Sequence, residues 1–265
     1  MLAPPPGAEG EKKPKAPKRG DFDAGGQLRL PNGPDEMNEY ATFNWVALDA
    51  RGKYYLLESV SVTGNIPMAV KKPETISGGA VDPRFFGGMS ITLDAALPKM
   101  NVPFAPNAQD TDIGLVLTGA YMREGAMLLS EKDFPLFIGD FKPGLNAGVR
   151  TKVKLSTLLD FSLTPVFVYQ SGTAESISAV QIPTSTIIKL GDVLKVSADL
   201  GIFTGDDYSF SGDDGGRISA GAAIDLEIGK IIAHAGTGFA SLLTGGAYPT
   251  IGDSLYIDLN VKFAK

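Results

Sequence analysis

Few side chains in this 265-residue sequence could do chemistry alone, and what is missing narrows the choice. There is one His, at 234, and no Cys. Thiolate metal sites and disulfides are thereby excluded, and a metal centre or Ser-His-Asp relay would have a single imidazole to draw on. His234 stands in KIIAHAGTGFAS, on the face opposite Ile231, Ala233, Ala235 and Phe239, with no His-x-Ser pattern. It reads as a buried polar residue rather than a general base. The glycines after it make no nucleotide loop, because no strand-to-helix turn follows. In TGDDYSFSGDDGG, Asp206, Asp207, Asp213 and Asp214 lack the spacing of an EF-hand or of a glycine-rich calcium repeat, and read as a solvated acidic loop. The Arg19-Gly20-Asp21 triplet reads as a chance match. No metal, no cofactor and no enzymatic activity are expected.

What remains is charge at every second position. Arg150, Lys152 and Lys154 form one such row; Lys195 and Asp199 form another, and Arg217, Asp225 and Glu227 a third. Asp160, Asp258 and Lys262 stand in similar settings. In extended chain, alternate side chains share a face. Two uses of such a face stay open. It lines a water-filled conduit whose charges tune ion selectivity, or its charges neutralise one another and stiffen the wall. The 150–154 row would attract anions and disfavour small cations. Lys154 and Asp160 flank one short turn and are expected to pair.

The elements that carry these rows are strands. From about residue 38 onward helical periodicity is almost absent, and period-two alternation recurs over 144–155, 159–170, 193–204 and 217–228. Further candidates are 38–49, 53–64, 88–97, 111–122, 125–131, 177–190 and 231–242. Many run 10–13 residues, against about 5–6 for strands of soluble proteins and about 9–11 for a tilted strand crossing a bilayer. Turns are short at Arg123-Glu124, Ser156-Thr157, Gly191-Asp192 and Gly229-Lys230. Connections are longer at 132–143, 171–176, 205–215 and 243–252. The alternation slips near the N-terminus, where Asp49–Gly52 looks like a turn and 65–87 like a long connection. Residues 23–31 and part of 65–87 are candidates for extra strands.

Other features set limits. The net charge of −6 excludes nucleic acid as the main partner. No run of 18 apolar residues exists, so no helix of this chain crosses a membrane. No signal peptide is visible, so the protein is either intracellular or a mature form with its leader removed. Residues 1–22, rich in Pro, Lys and Gly, read as a flexible tether.

The last strand, SLYIDLNVKF, completes the pattern: Leu255, Ile257, Leu259, Val261 and Phe263 alternate with Asp258, Asn260 and Lys262. With the strand lengths and sorted loops, it makes residues 38–263 resemble a bacterial outer-membrane β-barrel. In that superfamily the closing strand alternates toward a final aromatic; here two residues follow Phe263. The resemblance implies an all-β, antiparallel transmembrane barrel of about twelve strands, with fourteen as the alternative, over 23–265. Residues 1–22 become a disordered periplasmic tether. The five apolar residues of the last strand would face lipid. Arg150, Lys152, Lys154, Asp160, Lys195, Asp199, Arg217, Asp225, Glu227, His234, Asp258 and Lys262 would line the lumen. Small inner residues (Gly148, Gly201, Gly221, Ala223, Gly236, Gly238) would leave a gap for water, a loop or the N-terminal segment. Aromatics near strand ends (Trp45, Tyr54, Tyr55, Tyr121, Tyr169, Tyr208, Tyr256) would form interfacial girdles. The implied function is a porin-like small-solute or ion channel in the outer membrane. One alternative is a non-conducting barrel anchoring an envelope machine, reaching a periplasmic protein or peptidoglycan through residues 1–22. Another is a soluble all-β binding domain. Oligomeric state is left open.

Overall fold

The computed structural model describes residues 17–29, 46–71, 85–98, 111–123, 140–173, 176–205, 208, 216–244 and 251–264. They form thirteen strands: β1 (Phe22–Arg29), β2 (Val46–Leu57), β3 (Val60–Lys71), β4 (Gly88–Ala96), β5 (Thr111–Arg123), β6 (Phe141–Lys154), β7 (Leu159–Leu163), β8 (Val166–Gln170), β9 (Ile177–Leu190), β10 (Leu194–Phe203), β11 (Arg217–Ile228), β12 (Ile231–Phe239) and β13 (Leu255–Ala264). One short 3-10 turn, Ile251–Ser254, precedes β13.

All pairings are antiparallel, and the sheet closes on itself where β1 pairs β13, from Gly25↔Ala264 to Arg29↔Asn260. β7 and β8 occupy one position in the wall. Both pair β6 and β9, and the register runs on unbroken from Thr151↔Leu163 to Gly148↔Val166 on one side, and from Leu163↔Thr184 to Val166↔Gln181 on the other. The break falls at Thr164-Pro165, where proline has no N–H to give the ladder. The wall is therefore a closed barrel of twelve strand positions.

Twelve is the expected number, reached with different members. Residues 22–29 are a wall strand. The strand expected at 125–131 lies outside the described residues, and β5 pairs β6 directly through Arg123↔Phe141. The turn expected at Asp49–Gly52 lies inside β2; the chain reverses instead at Glu58-Ser59. With that correction the connections sort. One rim, the turn rim, carries 58–59, 155–158, 191–193 and 229–230, with 97–110 as its one long member. Gly191 and Gly229, at φ 78° and 62°, supply the left-handed backbone that the tight turns need. The other, the loop rim, carries 30–45, 72–87, 124–140, 171–176, 204–216 and 240–254. This sorting is that of outer-membrane barrels, whose turns are short on one side and long on the other.

Of the tether, residues 1–16 lie outside the described residues. Residues 18–21 form a turn held to β2: Gly20 N–H donates to the Tyr55 carbonyl and Tyr55 N–H to that of Asp21.

Burial is inverted relative to a soluble domain. Ile91, Leu115, Ile224 and Leu255, on four different strands, are 51–57% exposed on the convex face, while charged side chains of β4, β6, β10 and β11 are half-buried on the concave face. A soluble all-β domain would cover such an apolar surface; here it is the outermost layer of the wall, suited to lipid. At the seam, Phe263 covers Gly26, its register partner. A Cβ on Gly26 would sit 2.8 Å from the Phe263 ring. Phe263→Ala is expected to loosen β1–β13 by about 1 kcal/mol, read as a lower urea midpoint of the detergent-folded protein. Phe263→Leu should lose less.

Candidate functional site: the inner face of the barrel

Strand alternation decides what reaches the interior. On β4–β6 the inner positions are Ser90, Thr92 and Asp94, then Asp112 and Thr118, then Asn146 and Arg150; Thr92 and Thr118 share a hydrogen bond at 2.9 Å. Arg150 is the hub. Its Nε and Nη2 donate to the two oxygens of Asp94 at 3.1 and 3.0 Å, and Nη1 donates to Asp112 Oδ2 at 2.5 Å. A fork gripping one carboxylate on two atoms is the strong form of this pair. Lys152 stands opposite Asp112 in register, yet that acid serves Arg150. The 150–154 row is thus no uniform ladder of bare cations.

Lys154 and Asp160 are register partners, but the ion pair that Asp160 makes at 2.5 Å is with Lys189 of β9. The neighbouring acids cross the wall in the same way. Lys195 Nζ donates to Glu227 Oε2 at 2.6 Å. His234 Nδ1 lies 2.5 Å from Asp225 Oδ1, the two being directly opposite on β11 and β12. His234 is therefore tied to an acid, with buried Asn260 on its other side. Asp199 is exposed on the inner face of β10, and Ser197 Oγ donates to it at 3.3 Å. Arg217 occupies the loop-rim end of β11, opposite Phe203. Asp258 lies opposite Gly236, and Lys262 opposite Gln27 and Ile232. Of the outer residues of β13, Leu255, Ile257, Val261 and Phe263 are exposed and Leu259 is half-buried.

The small inner residues are slots, not a gap. Tyr256 lays its hydroxyl over Gly221 and Gly238, Phe203 lies over Gly201, and Val166 over Gly148. Ala223 and His234 crowd Gly236. Tyr256 thus points inward, not into a girdle. Tyr121 stacks on Phe141 with centroids 5.5 Å apart, Phe86 adds a further contact to Phe141 at 5.5 Å, and the Arg123 guanidinium sits 3.5 Å from the Phe141 ring. Trp45 and the acids Asp206, Asp207, Asp213 and Asp214 lie outside the described residues.

The interior is divided along its axis. From the turn rim to mid-wall it is charged and wetted: Arg51 and Asp199 are exposed there. Toward the loop rim it is tighter, with Arg217 at its edge. Ala47, Val168, Gln170 and Gln181 are buried, and Gln170 Nε2 donates to the Arg123 carbonyl at 2.9 Å. Among the described residues no cluster of His, Cys, Asp or Glu could hold a metal ion.

No protein-family model matches the sequence, and no curated protein matches it. Solved structures do. An outer membrane channel from Pseudomonas putida F1 superposes with a TM-score of 0.55 at 11% identity, covering 97% of this chain and 98% of that one. The fold is that of a bacterial outer-membrane β-barrel. A NanC porin agrees, with a TM-score of 0.51 at 8% identity over 92% of this chain and 98% of the porin. At these identities the likeness carries the barrel and not the cargo. The barrel keeps its apolar side chains on the convex wall and turns its ionic network toward the axis. Alternation points to that network's Arg150, Lys195, Asp225 and Glu227. Asp94, Asp112 and Lys189 were missed, although all three lie in strands the sequence predicts, because only the register shows which acid meets which base. Arg51 was missed because its segment looks like a turn.

Proposed function

We propose that the barrel is a passive outer-membrane channel for small solutes or ions. The observation that carries this reading is the wetted, charged inner face: Arg51 and Asp199 project from wall strands toward the axis and stay exposed. Water reaches the middle of the wall from within. In this reading Arg150, Lys152, Lys154, Asp160, Lys195, Asp199, Arg217, Asp225, Glu227, His234, Asp258 and Lys262 line the water path, and Leu255, Ile257, Leu259, Val261 and Phe263 meet lipid. The paired charges set a near-neutral local field over much of the path, so size rather than sign selects there.

A second reading is a non-conducting barrel that anchors an envelope machine and reaches a periplasmic protein or peptidoglycan through residues 1–22. The tight loop-side half, with Gln170 and Gln181 buried, favours it. Planar-bilayer recording separates the two. The channel reading predicts discrete current steps from protein whose folded and boiled forms migrate differently on a detergent gel. Correctly folded protein that yields no steps selects the anchor.

A further inference from the structure

Several cations described above on the inner face are neutralised, and those of one sector are not. Arg150 has two carboxylates, and Lys189 and Lys195 have one each. Where β1, β2, β12 and β13 meet at the seam, a cavity of about 400 Å³ is lined by Arg51, Lys230 and Lys262, with Gln27 and Asn65 beside them. Asp49 is the acid in this lining, so three cations face one carboxylate. Among the described residues, no ion pair engages the side chains of Arg51, Lys230 or Lys262, in contrast to their counterparts across the barrel.

Three like charges around one hollow repel one another unless something negative enters. Among the described residues lining the hollow, Asp49 is the one negative group. Gln27, Asn65 and the Arg51 fork provide neutral and charged donors, which together match the oxygens of a phosphate or carboxylate group. A cavity of this volume suits a single small solute. Gln27, Asp49, Arg51, Asn65 and Lys262 all hold inner positions of their strands, so the anion comes from the aqueous interior and not from the lipid side.

We propose that this seam cavity is a binding site for a small soluble anion bearing phosphate or carboxylate groups, set at the turn-rim mouth of the barrel. The anion-attracting feature is therefore not the 150–154 row, whose Arg150 is already satisfied. The site goes beyond the channel reading, because it requires the folded barrel but no current.

The test uses the full chain folded in lipid-free neutral detergent, where no headgroup can act as the ligand. The probe is inorganic phosphate, titrated against chloride at matched ionic strength, with the temperature of the folded-to-boiled gel shift as readout. Wild-type protein should show a saturable upward shift in phosphate. The half-saturating concentration should rise by about tenfold or more in Arg51→Gln/Lys262→Gln, as expected when charge-assisted hydrogen bonds are lost. Arg51→Lys/Lys262→Arg should recover most of the effect. Lys18→Gln, which removes one positive charge from the exposed N-terminal turn, should leave it unchanged. No saturable shift in folded wild-type protein, or equal shifts in wild type and Arg51→Gln/Lys262→Gln, overturns the site. A barrel that conducts but ignores phosphate defeats this proposal alone, and one that binds phosphate without conducting defeats only the channel.

Discussion

Leu200→Arg should destabilise the folded barrel by about 2–4 kcal/mol, while Asp199→Arg, one residue away, should cost less than about 1 kcal/mol. The two residues sit mid-way along β10 and point in opposite directions. Leu200 is exposed on the convex face, where a guanidinium would have to shed its hydration in hydrocarbon or drag water into it. Asp199 is exposed on the inner face, where water already lies. Unfolding in urea from lipid vesicles, followed by circular dichroism, gives both values. Equal costs would mean that Leu200 does not face lipid, and the inside-out reading of burial would fail with it. The pair is better chosen than Leu259 and Asn260. Asn260 is only 6% exposed and lies directly opposite His234, so an arginine there would disturb the His234–Asp225 contact as well.

The second large effect belongs to Arg150→Ala, expected to lower stability by about 1–3 kcal/mol. Removing one partner of a fully buried ion pair costs about 3–5 kcal/mol, and a fully exposed pair is worth about 0–1 kcal/mol. Arg150 lies between these limits, with 16% of its side chain exposed, against 25% for Asp94 and 49% for Asp112. The cost comes mainly from Asp94, which would be left in a half-buried wall with its two-atom grip gone. A cycle tests this directly: in an Asp94→Asn/Asp112→Asn background, Arg150→Ala should cost far less, since the stranded carboxylates are no longer there. The same loss from both backgrounds would show that Arg150 matters only through its packing.

These two residues mark how far the sequence could be read. Leu200 was legible, because VLKVSADLGIFT alternates without interruption and the face of every residue follows from its parity. The wall from β6 to β13 was legible for the same reason. Asp49-Ala50-Arg51-Gly52 was not: its composition is that of a turn, yet it pairs with β1 on one side and β3 on the other, and pairing outweighs local preference. That misplacement hid the facing of Arg51 and with it the seam cavity. The partners of Arg150 were hidden for a different reason. Asp94 lies 56 residues away in sequence, and which strand lies beside β6 depends on a register that no local pattern states. Tyr256 and the glycines beneath it were misread because a missing side chain looks like space until the neighbour that fills it is known.

The interruption at Thr164-Pro165 bears on how the wall comes together before it is complete. Pro183, across from it on β9, accepts from Thr164 N–H and likewise has no amide hydrogen of its own. Until β6 and β10 arrive, the β7/β8–β9 hairpin has two bare flanks. The flank that meets β6 has its run of donors broken near the middle by Pro165, so a second chain laid alongside it cannot zip along the full edge. Proline and short edges are the means by which natural sheets discourage such pairing with strangers. The same Pro165 that slightly weakens the finished ladder therefore guards one edge of the unfinished one against aggregation.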